Sequence, residues 1–356
     1  MNRTIAAFFF AAALAPASIA WDAAGHATIT LLALDRFKST KGAPAWVNEP
    51  TARDMIAWQS GEPDRWRGTR APTLKHENDP DHYLDLEDLT PYGLTLRTVP
   101  ILRNEFVKVL ASARAKDPTK FEPINPAMDG AKSLEYPGFL PHAIMEHQGK
   151  LQSAMNTLRI LEGLADAGTD RRKGQIEQAK SNIRVEMGLL SHFVGDAAQP
   201  LHTTQHHHGW VGENPKGYTT ERTIHSYIDG TILTIHHLTH ETLRARRASK
   251  GETPQPTDQP SDHTKTPPDQ VAPRVTNAES PWSDVLAHIE RSFAKVEPLY
   301  ELKKSGELEK DAGKAFIAER LNDAGAMLGD LYAAAWAASE PTPKQIEDYQ
   351  KYEAKP

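Results

Sequence analysis

The chain of 356 residues contains no cysteine. That absence excludes disulfides, thiolate nucleophiles, iron–sulfur clusters and cysteine-ligated zinc. A basic surplus is missing too: 41 Lys and Arg stand against 47 Asp and Glu, a net charge of −6. Simple electrostatic binding to nucleic acid usually shows as a basic domain, so this balance argues against it. No segment carries about 18 consecutive apolar residues, so no stable membrane insertion is expected. What the chain has in excess is histidine, with 16 residues. Without cysteine, any metal site must be built from these imidazoles and from carboxylates.

The first twenty residues read as a secretory signal. Arg3 gives a basic start, Ile5–Leu14 an apolar run too short to span a bilayer, and Ser18-Ile19-Ala20 small residues for cleavage. Export to the periplasm or the medium is expected, with Trp21 as the new N-terminus. The rest reads as all-α. Apolar spacing predicts helices over His26–Phe37, Val99–Ala115, Leu140–Ala167 (with a break near Gly163) and Arg171–Ala198, the last with Asp170 as N-cap. Arg222–Arg247, Trp282–Leu302 and Gly313–Ala338 complete the set. Residues 251–281 contain seven Pro and no aromatic residue, too little apolar surface to offset their ordering. They read as a disordered insertion within one helical domain over 21–340, followed by a loose polar tail over 341–356. A monomer is expected.

Five short clusters carry the residues suited to chemistry. They are Trp21 to His26, Gly61 to Arg67 (with Asp64), Asp81 to Asp85 (with His82 and Tyr83), Ser191 to His202, and Ile224 to Asp229. His192 and Asp196 are four apart on a helix, so they share a face and can bind one ion; His225 and Asp229 repeat the spacing. Pro200 biases Gln199 away from helix and places His202 at or past the helix end. Alone, such a pair is more often a surface hydrogen bond. Two pairs within apolar helical faces are different, because ionisable groups are rarely buried without a partner or a metal.

In this order the five clusters resemble the S1/P1 nucleases, whose fold is shared with bacterial zinc-dependent phospholipase C. The shared features are a mature N-terminal Trp with His five residues later, a W-A-D-x-I-R-like segment, H-F-x-D, H-F-x-G-D-x-x-Q-P-L-H and H-S-x-x-D. The resemblance implies a multi-helix bundle of that type with a trinuclear zinc site. Trp21 and His26 would hold one metal, with Asp196 as a bridge. Asp64, His82, His192 and Asp196 would hold its neighbour, and His202, His225 and Asp229 the third. The implied reaction is hydrolysis of single-stranded DNA or RNA, or of nucleotides, by metal-activated hydroxide attack on phosphate. Asp64 is catalytic in that scheme, and Arg67 stabilises charge on the phosphoryl oxygens.

Tyr83 stands where the nucleases usually carry Phe; it reads as a base-stacking residue, with Asp85 accepting hydrogen bonds from the base edge. The alternative makes Tyr83 a packed aromatic and Asp85 a group that orients a histidine. Two other readings of function stay open. Gly138-Phe139-Leu140-Pro141 looks more like phospholipase C relatives, which act on phospholipid. A non-catalytic zinc-binding protein of the cell envelope fits the histidine count. His206-His207-His208 has no counterpart in the nuclease pattern and reads as a rim of the site, an extra metal site or a polar loop, and His236, His237 and His240 read as the polar face of a helix.

Overall fold

In the computed structural model the described residues are 21–121, 136–249, 274–277 and 280–353. The expected signal over 1–20 and most of the 251–281 insertion lie outside them. Among the described residues there is no strand; the chain is all-helical.

Four long helices make the frame. They are α1 (Ala23–Phe37), α6 (Leu140–Gly163), α7 (Asp170–Ala198) and α13 (Asp311–Ala337). α6 and α7 form an antiparallel hairpin, α13 lies along α1, and α13 also crosses α7 and α6. α2 (Pro50–Gln59) closes the bundle against α1 and α7. Ile29, Leu32, Ala33, Leu151, Ile183, Leu190, Leu321, Leu328 and Leu331 are all buried, and this shared apolar face supplies most of the drive to pack.

Local signals set the helix ends. Asp22 caps α1 by accepting the Gly25 N–H at 2.8 Å. Thr169, not Asp170, caps α7: its hydroxyl accepts the Arg172 N–H at 3.3 Å. Asp170 instead occupies the first turn, where a carboxylate complements the helix dipole. At the other end Pro200 holds Gln199 extended (φ −85°, ψ 116°) and α7 stops at Ala198.

Several expected boundaries are corrected. The helix expected from Val99 is α5, Arg103–Lys116, because Pro100 cannot donate within a helix. The stretch expected as one helix from Arg222 to Arg247 is broken into α8 (Ile224–Ser226), a π-helical turn (Tyr227–Thr231), α9 (Ile232–His236) and α10 (His240–Ser249). His237 ends α9 in the left-handed conformation at φ 51°. Trp282–Leu302 is two helices, α11 (Trp282–Phe293) and α12 (Val296–Ser305). The tail is not loose: α14 (Pro343–Glu353) is tied back by Arg172, whose Nη2 donates to Glu353 Oε2 at 2.8 Å. Two further short helices, α3 (Glu62–Arg67) and α4 (Pro72–Asn78), were not expected.

Candidate metal centre

The C-terminal third of α7 is buried all round, from Met187 to Ala198. An ordinary helix with one wet face could not be. It is enclosed by residues 21–26, α3, the loop 79–86, the turn 199–208 and the α8–π–α9 segment. These segments bring the expected ligands together.

The first group surrounds Asp196, which is fully buried. His26 Nε2 is 3.4 Å from its Oδ1; His82 Nδ1 and His192 Nε2 are 3.0 and 3.3 Å from its Oδ2. Asp64 Oδ1 lies 3.9 Å from both His82 Nδ1 and His192 Nε2. Two sets of donor atoms close enough for an ion result: His26, Asp64 and His192, and His82, His192 and Asp196. The second group is His202, His225 and Asp229. Its imidazole Nε2 atoms are 2.9 Å apart, and His225 Nε2 is 3.6 Å from Asp229 Oδ2.

The backbone aims these side chains. His192 Nδ1–H donates to the Ser60 carbonyl at 2.8 Å, leaving the Nε2 lone pair facing Asp196. His202 Nδ1–H donates to the His82 carbonyl at 2.6 Å, which does the same for its Nε2. Gln199 Nε2 donates to Asp229 Oδ1 at 2.7 Å and leaves Oδ2 toward His225. Asp229 itself sits on the π-turn, a helix distortion that recurs at functional sites. Gly195 is required by close approach: a Cβ there would meet His26 Nδ1 at 2.8 Å. The fully buried Trp21 is pinned beside it, its indole Nε1 donating to the Gly195 carbonyl at 3.0 Å.

Buried polar atoms normally find partners. Here both ring nitrogens of His26, Asp64 Oδ1, Asp196 Oδ1, His225 Nδ1 and Asp229 Oδ2 are buried and have no hydrogen bond. Of these, His26 Nε2 and Asp196 Oδ1 face each other at 3.4 Å, Asp64 Oδ1 faces His82 and His192, and Asp229 Oδ2 faces His225; nitrogen and carboxylate oxygen are the donors borderline cations take. The buried His and Asp clusters could therefore hold metal ions.

Burial pushes the Asp64 carboxyl up to about 6 and, with Asp196 and Asp64 nearby, pushes Asp229 well up. It pushes His82 down to about 3 and His26 well down, so these imidazoles stay neutral. Burial would raise Asp196 as well, but His192 and His202 facing it hold it well below the usual carboxylate range. Protons and metal compete for Asp64. Below about pH 6 its carboxyl is protonated and must lose that proton to ligate. Metal affinity, read by competition with a chromophoric chelator, should fall about tenfold per pH unit for this group alone. A flat affinity from pH 7 to pH 4.5 would remove Asp64 from the ligand set.

Arg67 Nη1 is 4.0 Å from Asp64 Oδ1 at the open side of the cluster. Tyr83 is half-buried and its carbonyl accepts the Leu140 N–H at 3.1 Å. Asp85 is buried, one carboxylate oxygen has no hydrogen bond, and burial beside Asp88 and Glu87 pushes it well up. Its carboxylate lies 3.9 Å from His207 Nδ1. Of the readings open for the His206-His207-His208 run, a place at the rim fits His207 and His208, whose rings lie 6.2 and 5.6 Å from that of His225 and so border the second group. His206 turns away and stacks on Trp210 at 3.9 Å. His236 is buried, its Nε2–H donating to the Leu308 carbonyl, and does not belong to a polar face. Comparison of the chain with protein-family models, curated proteins and solved structures finds no match.

Proposed function

We propose that the chain is an exported zinc-dependent phosphodiesterase of the S1/P1 type, cleaving single-stranded DNA or RNA. One observation carries the reading: buried His and Asp donors from five separated segments meet in interlocked groups, and their unbonded atoms face one another. Three zinc ions would be held by Trp21, His26, Asp64, His82, His192, Asp196, His202, His225 and Asp229. When bound, zinc supplies a Lewis acid and lowers the pKa of water to about 7.

The chain's own residues supply position and selectivity. Asp196 is the shared carboxylate, because its two oxygens face different histidines. Asp64 is the most exposed of the ligating carboxylates, at 11% against 0% and 3% for Asp196 and Asp229, so substrate meets the centre on its side. Arg67, beside it, can donate to two phosphoryl oxygens in a fork. Tyr83, half-buried at the end of the 79–82 turn, offers a ring for stacking.

The test is turnover of single-stranded DNA, RNA and short-chain phosphatidylcholine by the purified chain starting at Trp21. Cleavage of nucleic acid, lost in Asp64→Asn with the fold intact, is expected. Turnover of lipid alone would make it a phospholipase C, and a zinc-loaded protein that cleaves none of them would be a binding protein.

The N-terminus gives a separate test. Trp21 can ligate through its amine only when nothing precedes it. A chain with one Met before Trp21 should bind less zinc and lose activity about 10–100-fold, the effect of disturbing a metal's support. Full zinc content and full rate in that chain would exclude Trp21 as a ligand.

A further inference from the structure

Away from the metal centre, α11 and α13 enclose a second cluster of charge. At its middle is the Asp323 carboxylate, 3% exposed. Arg274 Nη2 is 2.6 Å from its Oδ1. Arg291 Nε, His288 Nδ1 and Arg320 Nη1 are 3.5, 3.5 and 3.7 Å from its Oδ2. One carboxylate therefore faces three guanidinium groups. Glu319 takes Arg320 Nη2 at 2.7 Å, but it is half-exposed and shared with Lys295 at 3.1 Å. Asp330 borders the cluster as a third carboxylate, its Oδ2 accepting the Arg274 N–H at 2.6 Å and its Oδ1 pairing with Arg36.

The buried Arg320 and Asp323 balance each other, and Arg274 and Arg291 add positive charge on the solvent side that an anion can offset. The donor count points the same way. Arg320 is 3% exposed, yet its Nε and Nη1 have no hydrogen bond. Arg274 Nε is in the same condition. Ser292 is fully buried with an unpartnered hydroxyl, one helical turn beyond His288 on the same face of α11. Four donor atoms therefore lack an acceptor, and a buried acceptor beside them without a hydrogen bond is Asp323 Oδ1, ion-paired with Arg274 Nη2. The side chains of Arg274 and Arg291 are 27% and 33% exposed, whereas those of Arg320 and His288 are buried.

We infer that this cluster binds a tetrahedral oxoanion of the phosphate class at a site separate from the metal centre. Guanidinium forks suit such an anion, because several oxygens accept parallel N–H bonds at once. The bound anion would not be remote from the metal helix. His288 Nε2 lies 3.4 Å from the carbonyl of Val194, which stands between His192 and Asp196 on α7.

The experiment is calorimetric titration of inorganic phosphate into the metal-loaded full chain and into the same chain after chelation. A saturable isotherm that survives chelation is expected. Arg291→Gln should weaken it about tenfold or more, the loss of one charge-assisted fork. Ser292→Ala should weaken it less, and neither change should alter metal content. If Arg291→Gln does not fold, Arg291→Lys replaces it; it keeps the charge, loses the fork, and should weaken binding by an intermediate factor. Absence of saturable binding would overturn the site, and so would an isotherm that chelation abolishes or that these substitutions leave unchanged.

Discussion

Asp196→Asn should empty the first group of metal and lower the hydrolytic rate by more than the roughly 10–100-fold that follows loss of an outer partner. The reason is its position. Asp196 is fully buried on α7 and touches His26 with one oxygen and His82 and His192 with the other. Asparagine keeps the shape but offers one neutral oxygen and an N–H₂ that repels a cation. Asp64 faces the same two nitrogens, but from 3.9 Å, whereas Asp196 approaches them at 3.0 and 3.3 Å and also faces His26 with its second oxygen. Metal content by elemental analysis and rate on single-stranded substrate are the readouts, with far-UV circular dichroism to confirm the helices. Full metal content in Asp196→Asn would mean that the ion sits elsewhere.

Chelation should destabilise the whole chain, not only inactivate it. At a free metal concentration a thousandfold above Kd, binding to the folded state contributes about 4 kcal/mol. At a few degrees per kcal/mol this is on the order of 10 °C in Tm. The groups involved make the effect global. The candidate ligands come from residues 21–26, α3, the 79–82 turn, α7, the 200–202 turn and the α8–π segment, so an ion held there would cross-link elements that no disulfide joins. Restoring zinc should restore Tm. A melting curve indifferent to chelator would contradict the cross-linking role.

Much of this was readable before any coordinates. Helical spacing located the four frame helices because each carries apolar residues at helical intervals over many turns. Short helices escaped for a physical reason. α2, α3 and α4 each begin with Pro in the first two positions, at Pro50, Pro63 and Pro72. Proline signals a break when read along the chain, yet it is well tolerated in the first helical turn, where its missing N–H costs nothing. The π-turn was hidden too, since His225 and Asp229 keep the same four-residue separation in either helix form.

The ligand types were legible because burial forbids unpaired charge, and His and Asp recurring within apolar faces carry that signal. What supports them was less so. The carbonyls of Ser60 and His82 that fix two imidazole tautomers belong to the backbone and leave no mark on residue identity. Gln199 was in view within its motif, but only its extended backbone ahead of Pro200 shows that it holds Asp229. His207 and His208 reach the second group through a turn whose path the sequence does not encode in any periodicity.

The pairing of α1 with α13 bears on when the molecule can form. Arg36 and Asp330, joined by a hydrogen bond of 2.6 Å, are 294 residues apart in the chain. Gly325 and Gly329 of α13 lie so close to Leu32 and Arg36 that added Cβ atoms would meet these side chains at 2.7 and 2.9 Å. The helix that carries His26 therefore has its main partner far along the chain, with 294 residues separating Arg36 from Asp330. A growing chain cannot complete the packing of α1 until α13 has been synthesised. Such long-range closure makes folding slow and leaves the early apolar helix open to chaperones during synthesis.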